Sequence, residues 1–227
     1  MIVPFGFYAL SVIAFGMVIT LLTYADNVKK FVTSYFIVGL AWLLYLLLIS
    51  KTGILENFSL PPRAPLLIVI PTVIASVVVT GKQSFRNVLK SVPLHLPVFL
   101  TSFRILVELL IYGAYREGVF PQRVTFEGLN YDIIVGLSAC LVGVLLLKRK
   151  FPLWGLLVWN FLSLLVLALT VYSFVSTYYF PDHMSLTNKL EFVQFPYLLL
   201  AGVLLPIAIF LHVFSMRQVF MNRDTHN

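Results

Sequence analysis

Apolar residues run through this chain in seven blocks, each close to the roughly 20 residues that span a bilayer core. The blocks are Phe5–Tyr24, Phe31–Ser50, Ala64–Thr80, Val92–Tyr115, Tyr131–Leu147, Leu153–Thr177 and Phe192–Met216. Short polar connectors separate them, so blocks adjacent in sequence are expected to be adjacent in space. The pattern predicts an all-α polytopic membrane protein with seven transmembrane helices. They form a single domain, residues 1–227, with no separate soluble part.

Composition agrees. Hydrophobic residues make up 60% and charged residues only 11% of the chain, against roughly 25% charged in a soluble domain. The net charge of +7 would suggest nucleic acid in a soluble protein. Here it sits in short connectors, where it reports topology instead, and no nucleic-acid partner is expected. Ten cations fall on one side: Lys29, Lys30, Lys82, Arg86, Lys90, Lys148, Arg149, Lys150, Arg217 and Arg223. Five fall on the other: Lys51, Arg63, Arg116, Arg123 and Lys189. The acidic residues Glu56, Glu117, Glu127, Asp132, Asp182 and Glu191 lie on that second side. The positive-inside rule then puts the N-terminus outside and the C-terminus inside. The first block lacks a basic leader and a small-residue cleavage site, so it reads as a retained helix.

The candidate chemistry lies in the fourth block, where Arg104 and Glu108 interrupt an apolar run. Charges at that depth cost at least about 2.5 to 3.5 kcal/mol each and generally have a partner and a purpose. Thr101, Arg104, Glu108, Tyr112 and Tyr115 recur every three or four residues and share a helix face. Arg followed by Glu at i, i+4 is the weaker order for an intrahelical pair. Each group is therefore expected to find partners on other helices. The alternative to a binding or relay site is a structural ion pair that sets helix packing.

Further polar residues gather toward the C-terminal half. Glu127, Asn130 and Asp132 crowd the start of the fifth block; Asn130 suits a helix cap and Asp132 the first turn. Gly136, Ala139, Cys140 and Gly143 offer a small-residue face for close helix approach. The sixth block carries Asn160, Ser163, Thr170, Ser173 and Thr177 in one stripe. The seventh carries Gln194, Tyr197, Ala201, Ala208, His212 and Ser215 in another, with Pro196 and Pro206 placed to bend it and free carbonyls. The two stripes would enclose a polar cavity or serve as hydrogen-bonded packing. The candidate ligand-binding residues are Arg104, Glu108, Tyr112, Glu127, Asn130, Asp132, Asn160 and Tyr197.

No cofactor is expected. His95 and His212 are the candidates for a metal or haem pair, but His95 lies about 180° round the helix from Arg104. The single cysteine, Cys140, supports neither an intrachain disulfide nor a cysteine cluster. It reads as a small packed hydrophobe. The last block has no lysine to carry retinal, and the only Pro-Gln, Pro121-Gln122, lies in a connector.

The stretches FRILVELLIYG and TFEGLNYDIIVG, followed by Trp159-Asn160, resemble a family of uncharacterised bacterial seven-span inner-membrane proteins with an FEGxNxDxxxG signature. The resemblance covers most of the chain from the fourth block onward. It implies a multi-pass protein of the bacterial inner membrane and carries no activity.

Three functional readings follow. The first is binding or transport of a small molecule or ion at a site between the fourth and seventh helices, with Glu127 and Asp132 at its mouth. The second is an intramembrane enzyme acting on a lipid- or quinone-like substrate, with Glu108 as general acid or base. The third is a sensor or assembly factor that needs a separate partner, since the tail after Met216 is short.

Overall fold

The computed structural model describes residues 2–180 and 189–223. Asp182 lies outside the described residues, as do the side chains of Lys189 and Arg223. Every regular element among the described residues is helical. The elements are α1 (Ile2–Leu22), α2 (Val28–Lys51), α3 (Ile70–Gly81), α4 (Arg86–Ser91) and α5 (His95–Leu100). They continue with α6 (Arg104–Arg116), α7 (Asp132–Leu147), α8 (Leu153–Tyr179), α9 (Lys189–Phe192) and α10 (Leu205–Arg223).

Five helical stretches are long and apolar enough to cross a membrane, and six if one bent pair counts as a single crossing. The pair is Pro65–Gly81 with Gln83–Ser91, which meet at 72°. α5 and α6 form one stretch, His95–Arg116, through a tighter turn at Thr101–Phe103. Two expected spans come out differently. The fifth block forms α7, only 16 residues or about 24 Å at 1.5 Å per residue. In the seventh block, residues 193–197 are turns, and the long helix runs on to Arg223.

α10 is the hub, packing on α3, α8 and α5, while α1 packs on α6. α6 and α7 approach closely because α7 is bare on that face. A Cβ at Gly136 would meet Ile105 Cγ1 at 2.7 Å, and one at Gly143 would meet the Phe99 ring at 2.7 Å. Cys140 departs from expectation: it is exposed, turned away from this small-residue contact.

Prolines shape two turns in the middle of the bundle. Pro71 has no N–H to give to Leu67 O four residues back, and its ring crowds that carbonyl. Pro206 stands in the same relation to Gly202. In both places the preceding turn widens to an i→i+5 pattern, at Pro65–Val69 and at Leu200–Leu204. Ile70 N–H then reaches Pro65 O, and Leu205 N–H reaches Leu200 O. Both freed carbonyls are taken by α2: Tyr45 OH donates to Leu67 O at 3.0 Å, and Trp42 Nε1 to Gly202 O at 2.7 Å. Otherwise α2 touches the bundle sparsely, and Leu46 is its only buried residue. Pro206 thus frees a carbonyl as expected, but an indole occupies it. Pro196 lies ahead of the helix.

Candidate functional site

α6 begins at Arg104, directly after the tight turn Thr101–Phe103, and α7 begins at Asp132. The two starts lie side by side. Arg104 Nε donates to Asp132 Oδ2 at 2.6 Å, and Nη2 faces Oδ1, so the guanidinium grips the carboxylate with two prongs. Asp132 occupies the first turn of α7, where the helix dipole favours an anion. Arg104 is therefore paired across helices, not with Glu108.

A second arm runs from Arg104 into α10 and α8. Arg104 Nη1 lies 2.9 Å from His212 Nε2, and His212 Nδ1 lies 2.9 Å from Asn160 Oδ1. A guanidinium can only donate, so Nε2 accepts and Nδ1 carries the imidazole proton. Asn160 Nδ2 then donates to Ser215 Oγ and to Leu156 O, both at 2.9 Å. Arg104, His212, Asn160 and Ser215 are all at most 1% exposed.

The third arm holds Glu108. Asn130 Nδ2 faces Glu108 Oε1 and Oε2, each at 2.8 Å, and Val124 O at 3.1 Å. Asn130 Oδ1 accepts from Thr170 Oγ1 of α8 at 2.7 Å and from Asp132 N–H at 3.1 Å. One asparagine thus ties α6, α8, the start of α7 and the preceding loop together. The formal cap position of α7 falls on Tyr131, yet Asn130 still serves the first helical N–H. The loop explains the glycine of the FEGLN stretch. Leu129 N–H bonds Arg123 O, and Asn130 N–H bonds Thr125 O. Within that coil a Cβ at Gly128 would meet the carbonyl oxygens of Gln122 and Arg123 at 2.5 Å.

Beside Arg104, Asp132, Glu108 and Thr170 lies a cavity of about 70 Å³. Its remaining walls are almost wholly apolar, including Phe103, Ile111, Phe174 and Leu204. Both proline-widened turns contribute to it, through Pro65 and Val69 and through Leu200, Ala201 and Leu204. A volume of that size holds water or a small ion, and falls well below the roughly 300 to 1,000 Å³ of a drug-sized ligand site.

Five of the residues singled out in the sequence meet here: Arg104, Glu108, Asn130, Asp132 and Asn160. Three stand apart. Tyr112 stacks on Phe126 and receives a weak hydrogen bond from Arg116. Glu127 is exposed, with Gln122 Nε2 at 3.4 Å, and Asp132 lies buried on Arg104 at the cavity wall. Tyr197 is buried among aromatic rings, edge-on to Phe7 and Phe120. Gln194 is exposed and does not join the stripe of α10. His95 packs edge-on against Phe99, whereas His212 belongs to the polar network. Among the described residues no group of three His, Cys, Asp or Glu side chains is placed to hold a metal. His212 and Thr170 lie on the polar stripes visible in the sequence, whose spacing points to neither Arg104 nor Asn130 as their partner. Their shared signal was a polar side chain in a membrane helix at the depth of Arg104.

No protein-family model, curated protein or solved structure matches this chain.

Proposed function

We propose that this chain is a seven-span protein of the bacterial inner membrane, N-terminus outside and C-terminus inside, that binds and moves a proton or small cation at Glu108. The asymmetry of cations between connectors and the FEGLNYDIIVG resemblance support the topology and the setting. One observation carries the chemistry. Among the described residues the buried network contains one guanidinium and two carboxylates, and Arg104 is committed to Asp132. Glu108 is fully buried and, among the described residues, its carboxylate hydrogen-bonds only to a neutral amide. An unpaired buried charge costs several kcal/mol, so a proton or cation on Glu108 balances the site. The adjacent cavity has room for that ion and for water.

The test is flux in vesicles containing the purified protein, with an imposed pH gradient or a potassium or sodium gradient. The wild type is expected to carry one of these ions, and Glu108→Gln to lose that flux while remaining folded. Full flux in both Glu108→Gln and Arg104→Gln would sink the reading.

A second reading draws on the apolar walls of the cavity: an intramembrane enzyme acting on a quinone- or lipid-like molecule, with Glu108 exchanging the proton. Turnover of such a substrate by purified protein, lost in Glu108→Gln, distinguishes it from ion flux.

A further inference from the structure

A second concavity opens on the flank of the bundle, away from the ionic network. It has a volume of about 540 Å³ and lies between α3, α8 and α10. Val73 and Val77 of α3, Leu164 and Ala168 of α8, and Ile209 and Val213 of α10 line it. Its polar boundary is at one end, where Arg217 stands beside Met216 and Phe220.

The groove has the reach of a lipid tail. From Leu205 to Arg217 is 12 residues along α10, about 18 Å at 1.5 Å per residue. One leaflet of hydrocarbon is about 15 Å deep, half of the bilayer core. Depth, apolarity and a cation at the rim therefore coincide. Ala168 is exposed to the groove and leaves the middle of its floor open.

Arg217 lies at that rim beside the end of α3. Its Nη2 lies 3.4 Å from where a Cβ on Gly81 would stand, so the guanidinium rests against the helix end. Lys82 follows directly and is also exposed. A cation at the mouth of an apolar groove of leaflet depth matches one chemical class, an anionic amphiphile with its head at the surface.

We propose that this groove is a binding site for one anionic phospholipid, with its phosphate on Arg217 and one acyl chain between α3, α8 and α10. The site is separate from the Glu108 network and does not depend on its chemistry. It also borders the inner cavity. Val69, Leu167, Val171 and Leu205 line both spaces, so the far end of the chain would lie against the wall of the cavity beside Glu108.

The experiment is native mass spectrometry of the intact protein with phosphatidylglycerol and phosphatidylcholine of matched chains. One phosphatidylglycerol is expected to bind in preference by about fivefold, the effect of one cation near an anionic surface. Arg217→Gln should remove that preference and Arg217→Lys should keep most of it. Ala168→Trp should weaken both lipids by filling the floor. Equal binding of the two lipids by the wild type would overturn the proposal. So would an equal loss of preference in Arg149→Gln, which would assign the effect to the basic face in general. A phosphatidylglycerol carrying a photoreactive group on its acyl chain tests the wild type without substitution. Labelling is expected on peptides containing Val73, Val77 and Ala168, and labelling spread evenly over α2 would count against the site.

Discussion

Asn130 presents one amide nitrogen to both oxygens of Glu108, each at 2.8 Å, and gives its own oxygen to Thr170 and to the first N–H of α7. No other side chain in the buried network touches so many separate elements. Its removal should therefore leave several groups unpaired at once. Asn130→Leu strands Glu108, Val124 O and the Asp132 N–H, while the Thr170 hydroxyl turns to Val166 O. At about 1 to 3 kcal/mol for each unpaired group, a loss of several kcal/mol is expected in unfolding by denaturant in detergent. A change under 1 kcal/mol would mean that water replaces the amide at little cost.

Glu108→Gln is expected to do the opposite. The amide keeps an acceptor for Asn130 and removes a charge that no protein cation pairs among the described residues, so thermal stability should hold or rise. Ion flux in vesicles should fall by at least tenfold. Retained flux with unchanged stability would leave Glu108 a structural residue.

Arg104 and Asp132 should be inseparable in energy. Asp132→Asn leaves a buried guanidinium without its counter-charge, at an expected cost of about 3 to 5 kcal/mol. Arg104→Gln in the same chain should recover a large part of that loss. A double-mutant cycle of unfolding free energies measures the coupling, and simple additivity would show that the pair is solvated.

Gly136 is needed for the approach of α7 to α6. A Cβ there would meet Ile105 Cγ1 at 2.7 Å and the Ile105 backbone nitrogen at 2.9 Å, and the backbone cannot swing aside as a side chain can. Gly136→Ala is expected to cost about 1 to 3 kcal/mol, as overpacking generally does. Gly16, with nothing within 4 Å of the corresponding position, is the control, and its substitution should have little effect. Equal melting behaviour of the two variants would refute the close contact.

Trp42 matters because Pro206 leaves Gly202 O without a helical donor. Trp42→Phe should cost about 1 kcal/mol, the net worth of a typical hydrogen bond. In a Pro206→Ala background the restored N–H competes for the same carbonyl, so Trp42→Phe should become nearly neutral. If the cost is the same in both backgrounds, the indole contributes by packing alone.

Much of the site was legible because charge in an apolar block is conspicuous. Arg104 and Glu108 stood out at once, and their unfavourable order along the helix argued for partners elsewhere. The partners are Asp132, His212 and Asn130, and helix periodicity could not select among them. Glu127 and Tyr112 share the local sequence signal of Asn130 and Glu108, yet one side chain faces out and the other stacks on Phe126. The coil at 122–130 decides which polar residue of FEGLN turns inward, and Gly128 permits that coil by carrying no side chain. Tyr197 followed the expected stripe only on the assumption that the last helix starts at Phe192. The turns at residues 193–197 place it among Phe7 and Phe120.

What the amino-acid order determined by itself was the helical, membrane-type character of the chain and the place of Arg104 and Glu108 inside an apolar block. Both follow from local composition, since backbone groups in apolar blocks must be satisfied within the helix. It also held Pro71 and Pro206, which open carbonyls four residues earlier wherever those helices lie. Only the tertiary structure decided which groups meet. Arg104 and Asp132 are 28 residues apart, and Arg104 and His212 are 108 apart. Trp42 closes on Gly202 across 160 residues. Such pairings depend on how helices rotate and pack, through contacts such as Gly136 on Ile105, which no single stretch of sequence contains.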